Sequence, residues 1–359
     1  MAEATFWLPE DSVLSGRYHV QEVLGVGGYG ITYRAMDDHL DRVVAVKEYY
    51  PGFCASRFAA RTNFVSCLAG YEAAYEKGLA AFRSEARTLV QLSSIHATVL
   101  VLDFFEENDT AYIVMEFLSG KNLKQMMSGF GGRIPVEVLL PTMEPAIRAL
   151  GAVHRLGLIH RDISPDNIMM LEDGSVRVID FGNARATEGD KTMTMAMKQG
   201  FAPPEQYQTH GQGPYTDVYS LCATMYYCLT GKLPPQPMDR LTGTPFPLPS
   251  ELGVAIDPVI EQAIMDGMEL YVQKRIQDTD ELWQRLYAAA SAPVQTPSNP
   301  SVAEPEPIAR TLPSEQYVLP MGTIKPLPIE LALNSGLNRI RSLCAQIYRK
   351  VKESYGDDI

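Results

Sequence analysis

Apolar and polar positions follow two different periods in this chain, and the change from one to the other divides it. Tyr18 to Leu24, Ile31 to Ala35 and Val43 to Glu48 are short β-rich runs separated by Gly-rich or Asp-rich turns, and they predict three strands. Val99 to Glu106 and Ala111 to Phe117 predict two more, with Asn108-Asp109 as a hairpin turn. Ahead of that pair, Tyr75, Leu79, Phe82, Ala86 and Leu89 recur at steps of three and four, the apolar face of an amphipathic helix. Beyond Phe117 the period turns helical, over Val136 to Leu156, Thr216 to Thr230, Glu251 to Met268 and Thr279 to Ala290. Gly231 and the following Pro pair stop the second of these. The pattern thus predicts an α+β chain: a strand-rich unit of about 100 residues, then a helix-rich unit of about 170.

After Ala290 the pattern lapses. Ser291 to Pro328 is dense in Pro, Ser and Thr and predicts an extended linker. In the last 30 residues Leu333, Leu337, Ile340, Cys344, Ile347 and Val351 form a heptad-like stripe flanked by Arg339, Arg341, Arg349, Lys350 and Lys352. Fewer than three full heptads make an isolated coiled coil marginal. The stripe reads as a helix that docks on a partner or a second copy, as one that packs back on its own chain, or as a basic membrane-surface helix.

Composition narrows the classes. Of 359 residues, 46% are hydrophobic and 21% charged, which is ordinary for a globular protein and argues against wholesale disorder. Acidic residues number 43 against 31 basic, a net charge of −12, which argues against nucleic acid or an anionic membrane as the main partner. Cys54, Cys67, Cys222, Cys228 and Cys344 are odd in number and form no Cys-x-x-Cys pair, so a disulfide framework or a zinc site is not expected and a reducing cytosol is. The first ten residues have neither a basic segment nor an apolar core of a secretory leader. No run of about 18 apolar residues predicts a transmembrane span, and the expected location is cytoplasmic.

The chemistry-bearing residues are spread along the chain. Gly25-Val26-Gly27-Gly28-Tyr29-Gly30 is a Gly-x-Gly-x-x-Gly that runs into a second strand, not a helix. It is either a plain hairpin turn or a hairpin whose amides approach a polyphosphate with no Cβ in the way. Lys47 lies near the end of the third strand, a solvated edge charge or a phosphate ligand, and Glu85 on the amphipathic helix 38 residues later can hold it in an ion pair. In His160-Arg161-Asp162-Ile163-Ser164-Pro165-Asp166-Asn167, the Asp and the Asn five residues on bring a carboxylate and an amide oxygen to one pocket, a proton acceptor and a metal ligand. Asp180-Phe181-Gly182, after the apolar run Val176 to Ile179, offers a second metal-binding carboxylate at a strand end.

In this order and at this spacing, the four elements resemble the eukaryotic-like (Hanks-type) protein kinases, most closely the bacterial serine/threonine kinases. The resemblance covers roughly residues 17 to 290 and extends to Pro203-Pro204-Glu205, Asp217-Val218-Tyr219-Ser220 and Arg275. It implies a two-lobed fold, a small lobe of five antiparallel strands with one helix (about 17–117) and a larger helical lobe (about 118–290). The remaining organisation is an N-terminal extension 1–16, the linker 291–329 and the helix 330–359. It also implies ATP and Mg²⁺ as cofactors and proteins as substrates, with autophosphorylation. By position, Lys47 would hold the α- and β-phosphates, Glu85 would orient it, Asn167 and Asp180 would bind Mg²⁺, and Asp162 would be the base. Gly25, Gly27, Gly28 and Gly30, with Leu24 and Val26, would cover the nucleotide; Thr32, Ala45, Met115 and Met169 would line the adenine pocket, and backbone from Glu116 to Leu118 would bind the base edge.

Three departures matter. Thr32 stands where the family has Val. Ser164 stands where the family has a Lys, and Lys198 where it has a Thr, so the cation and the hydroxyl of one contact are exchanged and Lys198 would bring the charge to the transferring phosphate; the alternative is a solvated loop lysine. The long stretch Glu48 to Lys77 is a docking element or a variable loop. Arg161 would read a phosphate on Asn183 to Gln199, which carries Thr187, Thr192 and Thr194, or pair with an acidic side chain or a carbonyl. A silent pseudokinase scaffold and a small-molecule phosphotransferase of related fold are the competing functions.

Overall fold

The computed structural model describes residues 6–57, 63–186, 198–208 and 210–288. The stretches 291–329 and 330–359, with Thr187, Thr192 and Thr194, lie outside the described residues.

The N-terminal part contains β1 (Val13–Leu14), β2 (Tyr18–Val26), β3 (Gly30–Asp37), β4 (Arg42–Tyr49), β5 (Ala55–Ser56), β6 (Ser66–Cys67), helix α1 (Glu72–Leu92), β7 (Val101–Glu107) and β8 (Thr110–Glu116). Six of the strands form one antiparallel sheet in the order β1-β2-β3-β4-β8-β7. The sheet therefore has one strand more than the five predicted. That strand pairs only Val13 with His19 and Leu14 with Tyr18, too short a run to carry a period. Ile31, Tyr33 and Ala35 on β3 are buried by their alternation, and Val44, Ala45 and Val46 on β4 are buried in a run. The predicted stripe of α1 is buried too, and each apolar side chain there contributes about 1.5–3 kcal/mol. Glu85 is buried with it.

The C-terminal part holds β9 (Gly120–Asn122), α2 (Leu123–Gly129), α3 (Val136–Arg155), β10 (Leu158–Ile159), β11 (Ile168–Leu171), β12 (Val176–Val178), β13 (Arg185–Ala186), α4 (Pro214–Thr230), α5 (Pro237–Leu241), α6 (Pro258–Gly267) and α7 (Thr279–Trp283). Helix α3 packs on α4 and α7, and its Leu139, Met143, Ile147 and Leu150 are inaccessible to solvent. The molecule is two-lobed, a small sheet lobe with one main helix and a larger, mainly helical lobe.

Two helix predictions are corrected. Glu251 to Met268 is not one helix: a short 3₁₀ turn ends with Gly253 in the left-handed region (φ 83°), and α6 starts only at Pro258. Asp257 caps that start by accepting from the Val259 N–H, and a proline fits the first helical position, where its missing N–H costs nothing. The helix from Thr279 is α-helical to Trp283 and then widens into a π-turn over Gln284–Ala288.

Candidate active site

The Gly-x-Gly-x-x-Gly joins β2 to β3, and the Gly27 N–H donates to the Gly30 carbonyl (2.8 Å) across the hairpin. A Cβ at Gly25 or Gly28 would meet open space, whereas one at Gly30 would lie 2.6 Å from the Glu48 carbonyl oxygen. Gly30 is thus demanded by the close approach of β3 to β4. Leu24 and Val26 are exposed on the hairpin. Thr32 stands opposite Lys47 in the β3–β4 register, and Ala45 stands opposite Met115 in the β4–β8 register. Ala45 is buried, and Met115, Glu116, Leu118 and Met169 are half-buried, Met169 lying on β11 opposite Asn122. Glu116 is fastened to Leu100 twice, its N–H donating to the Leu100 carbonyl (3.0 Å) and its carboxylate accepting from the Leu100 N–H (3.0 Å).

Lys47 joins the two lobes. Its Nζ donates to Glu85 Oε1 (2.7 Å) on α1 and to Asp180 Oδ1 (3.3 Å) in the larger lobe. Burial alone would depress the Lys47 ammonium; the attraction of Asp180 and Glu85 and the hydrogen bonds to both outweigh it, so its pKa moves up. The Lys47 cation draws the Asp180 carboxyl down to about 2 against the opposing effect of burial. Asp180 has a left-handed backbone (φ 63°), which turns the chain into the following Phe181-Gly182. A Cβ at Gly182 would come 3.1 Å from Glu85 Oε2, so the glycine leaves room for the pair.

The second group of residues lies on the loop between β10 and β11. Asn167 Nδ2 donates to the Asp162 carbonyl (2.7 Å), and its own carbonyl accepts from the Ile179 N–H (2.9 Å), which ties this loop to the strand leading to Asp180. The Asp162 side chain is largely buried, 12% exposed. Burial raises its pKa; Lys198 opposes this and the nearby Asp180 reinforces it, with a net upward shift. Lys198 Nζ donates to Ser164 Oγ (2.8 Å) and lies 3.6 Å from Asp162 Oδ1 and 4.0 Å from Asp166 Oδ2. The lysine from the later segment and the serine of the loop therefore meet each other beside the aspartate.

Motif reading picked out Asp217 and Arg275 only by their positions in the family pattern, and the structure gives them partners. Asp217 is buried at the start of α4; it accepts from the backbone N–H groups of His160 (2.8 Å) and Arg161 (2.9 Å) and pairs with His154 (2.8 Å). Burial works against its charge, but the His154 hydrogen bond and the neighbouring donors prevail and its pKa falls. These bonds hold the peptide of Arg161, itself in the left-handed region (φ 66°), one residue from Asp162. His154 was missed, because nothing in its local pattern marks it apart from other helix-end histidines. Arg275 and Glu205 form a buried two-pronged ion pair (2.6 and 3.1 Å), and Thr216 Oγ1 also donates to Glu205 (3.1 Å).

Asn167 and Asp180 would offer a metal ion two oxygen ligands, the Asn167 side-chain oxygen being left over once its nitrogen has donated to Asp162. Among the described residues, no three His, Cys, Asp or Glu side chains converge as a metal site. A cation here would thus draw its other ligands from water and phosphate, the habit of Mg²⁺. Asp180, ionised down to about pH 2, and Asn167 fit that ion, and the Lys47 ammonium with the open glycine hairpin fits a polyphosphate.

The family described as the protein kinase domain matches residues 18–242. The serine/threonine-protein kinase PknA of Mycobacterium tuberculosis is 33% identical over 264 residues, covering 69% of this chain and 56% of that protein. PknL of the same species is 33% identical over 228 residues, covering 63% and 52%. A probable serine/threonine-protein kinase of Clostridium acetobutylicum is 30% identical over 288 residues, covering 77% and 40%. The chain thus spans about half the length of the curated relatives it matches. Among solved structures, the apo form of PpkA-294 aligns with a TM-score of 0.70 at 31% identity, covering 79% of this chain and 100% of that one.

Proposed function

Because the chain belongs to the protein kinase family, with bacterial Hanks-type kinases as its relatives, we propose that it transfers the γ-phosphoryl group of ATP to serine and threonine hydroxyls of proteins, its own among them. The observation that carries this reading is the meeting of two linked sets of groups: Lys47, Glu85 and Asp180 form one, Asp162, Asn167 and Lys198 the other, and Asp180 lies near enough to Asp162 to raise its pKa.

When bound, magnesium–ATP supplies the phosphoryl group and neutralises its developing charge. Asn167 and Asp180 would hold the ion. Lys47, fixed by Glu85, would offer its ammonium to the phosphates, and the glycines of the 25–30 hairpin would leave its backbone free to cover them. Ala45, Met115, Met169 and the backbone of Glu116 to Leu118 would hold the base. Asp162 accepts the substrate hydroxyl proton, which its raised pKa favours so long as it is ionised. Lys198, steadied by Ser164, places a cation beside Asp162 from the position where the family pattern has a threonine. Arg161 would read a phosphate on Thr187, Thr192 or Thr194.

The same reading takes 17–290 as the kinase domain and gives the expected amphipathic helix 330–359 a docking role. It places the enzyme in the cytoplasm, in keeping with the free thiols Cys54, Cys67, Cys222 and Cys228. No helix of the described residues is long and apolar enough to cross a membrane. The scaffold alternative finds none of Lys47, Asp162, Asn167 or Asp180 replaced. Against a small-molecule phosphotransferase stands the buried Glu205–Arg275 pair, which braces the segment before α4 as a platform for an extended substrate.

The test is a labelled-ATP assay of the full chain on a generic protein substrate beside a panel of small hydroxyl compounds, followed by phosphoamino-acid analysis. Label on protein serine and threonine is expected. Label on the small compounds alone, or on protein tyrosine alone, overturns the reading.

A further inference from the structure

The residues between β4 and α1 form an arm anchored in the small lobe. The Cys54 and Ala55 N–H groups both donate to the Pro51 carbonyl (2.9 and 2.8 Å), a tight turn through Gly52. Cys54 is buried, and the Leu68 N–H donates to its carbonyl (2.8 Å) across the β5–β6 hairpin. Arg57 is buried against Glu48, the residue after Lys47, and also donates to the Phe6 carbonyl (2.7 Å). At the other end the Tyr71 N–H donates to Leu68 (3.1 Å), and Tyr49 Oη donates to the Tyr75 carbonyl (3.0 Å) on α1.

From this base the Phe53 side chain reaches the glycine hairpin. Phe53 is 48% exposed, and its ring meets the ring of Tyr29 edge-on, 5.8 Å between centroids and 80° between planes. Tyr29 is the tip residue of the glycine hairpin, and its carbonyl also accepts from the Tyr50 N–H (3.0 Å). The hairpin has glycine at four of its six positions from 25 to 30, so its backbone has much freedom to lose on binding. A tether at the tip removes part of that loss beforehand.

We infer that Phe53 is a positioning residue for nucleotide binding, acting through Tyr29 to hold the glycine hairpin over the site; the inference rests on the kinase reading above. An interaction that holds the hairpin equally before and during transfer changes affinity and leaves turnover alone.

The experiment measures magnesium-dependent binding of a fluorescent ATP analogue, and kcat and KM for ATP, on the full chain carrying Phe53→Ala, Phe53→Tyr, Tyr29→Ala or Phe53→Ala with Tyr29→Ala. Phe53→Ala should weaken binding and raise KM about three- to tenfold, the worth of one aromatic pair, with kcat within about twofold. Phe53→Tyr should restore both. The double variant should be no weaker than Tyr29→Ala alone, and hydrogen exchange at residues 25–30 should quicken in Phe53→Ala. Unchanged affinity and exchange in Phe53→Ala overturn the inference, as does a double variant whose losses add. Nucleotide binding by wild type with no transfer to any acceptor would count against the kinase reading instead, since the affinity measurements do not depend on transfer.

Discussion

Lys198 and Ser164 carry the most specific claim at the level of single residues. As the proposed base, Asp162 would work only while ionised, so activity should fall as pH drops through its pKa. Burial raises that pKa, and Lys198 holds part of the rise back. Replacing Lys198 by Ala removes the opposing charge, so the pKa climbs further and the acid limb of kcat/KM moves to higher pH. Lys198→Arg keeps the charge and should leave the limb in place. Turnover in Lys198→Ala should drop about 100-fold, as for loss of a charge-stabilising donor. A pH profile superimposable on wild type, at near-normal turnover, would make Lys198 a bystander. This exchange was legible in the chain because motif position alone pairs 164 with 198. The tie from Asp217 to the His160 and Arg161 amides was not, since a residue 57 positions away gives no local sign of which backbone groups it will accept from.

Among the elements, strands and helices followed their periods where they were long. The stripe of α1 and the β-rich run of β3 could be read directly, because each buried face repeats often enough to stand out. Two-residue strands such as β1, β5 and β6 have no repeat to read. The run from Glu251 hid its break because Ile256 and Ile260 keep a helical step across Asp257-Pro258. The segment ahead of α4 carries a buried ion pair, Glu205 with Arg275. Arg275→Ala should cost about 3–5 kcal/mol, since it leaves Glu205 buried without its cation. A denaturant midpoint with unchanged slope would read this, and a loss below about 1 kcal/mol would mean the pair is dispensable.

The whole molecule is organised around a contact between its lobes. Lys47 belongs to the sheet and Asp180 to the larger lobe, and their 3.3 Å contact brings the two halves of the site to one cleft. Closing a contact 133 residues apart in the chain takes both lobes folded, which is why the sequence names these residues through a family pattern and their meeting is seen only in three dimensions. The central claim is phosphoryl transfer with Asp162 as the base. It is tested most directly by incubating the full chain with labelled ATP and Mg²⁺ beside Asp162→Asn, with nucleotide binding measured for both. Label on wild type and none on Asp162→Asn, at equal nucleotide affinity, is the predicted result. Equal labelling of the two, or nucleotide binding with no label on either, would contradict it.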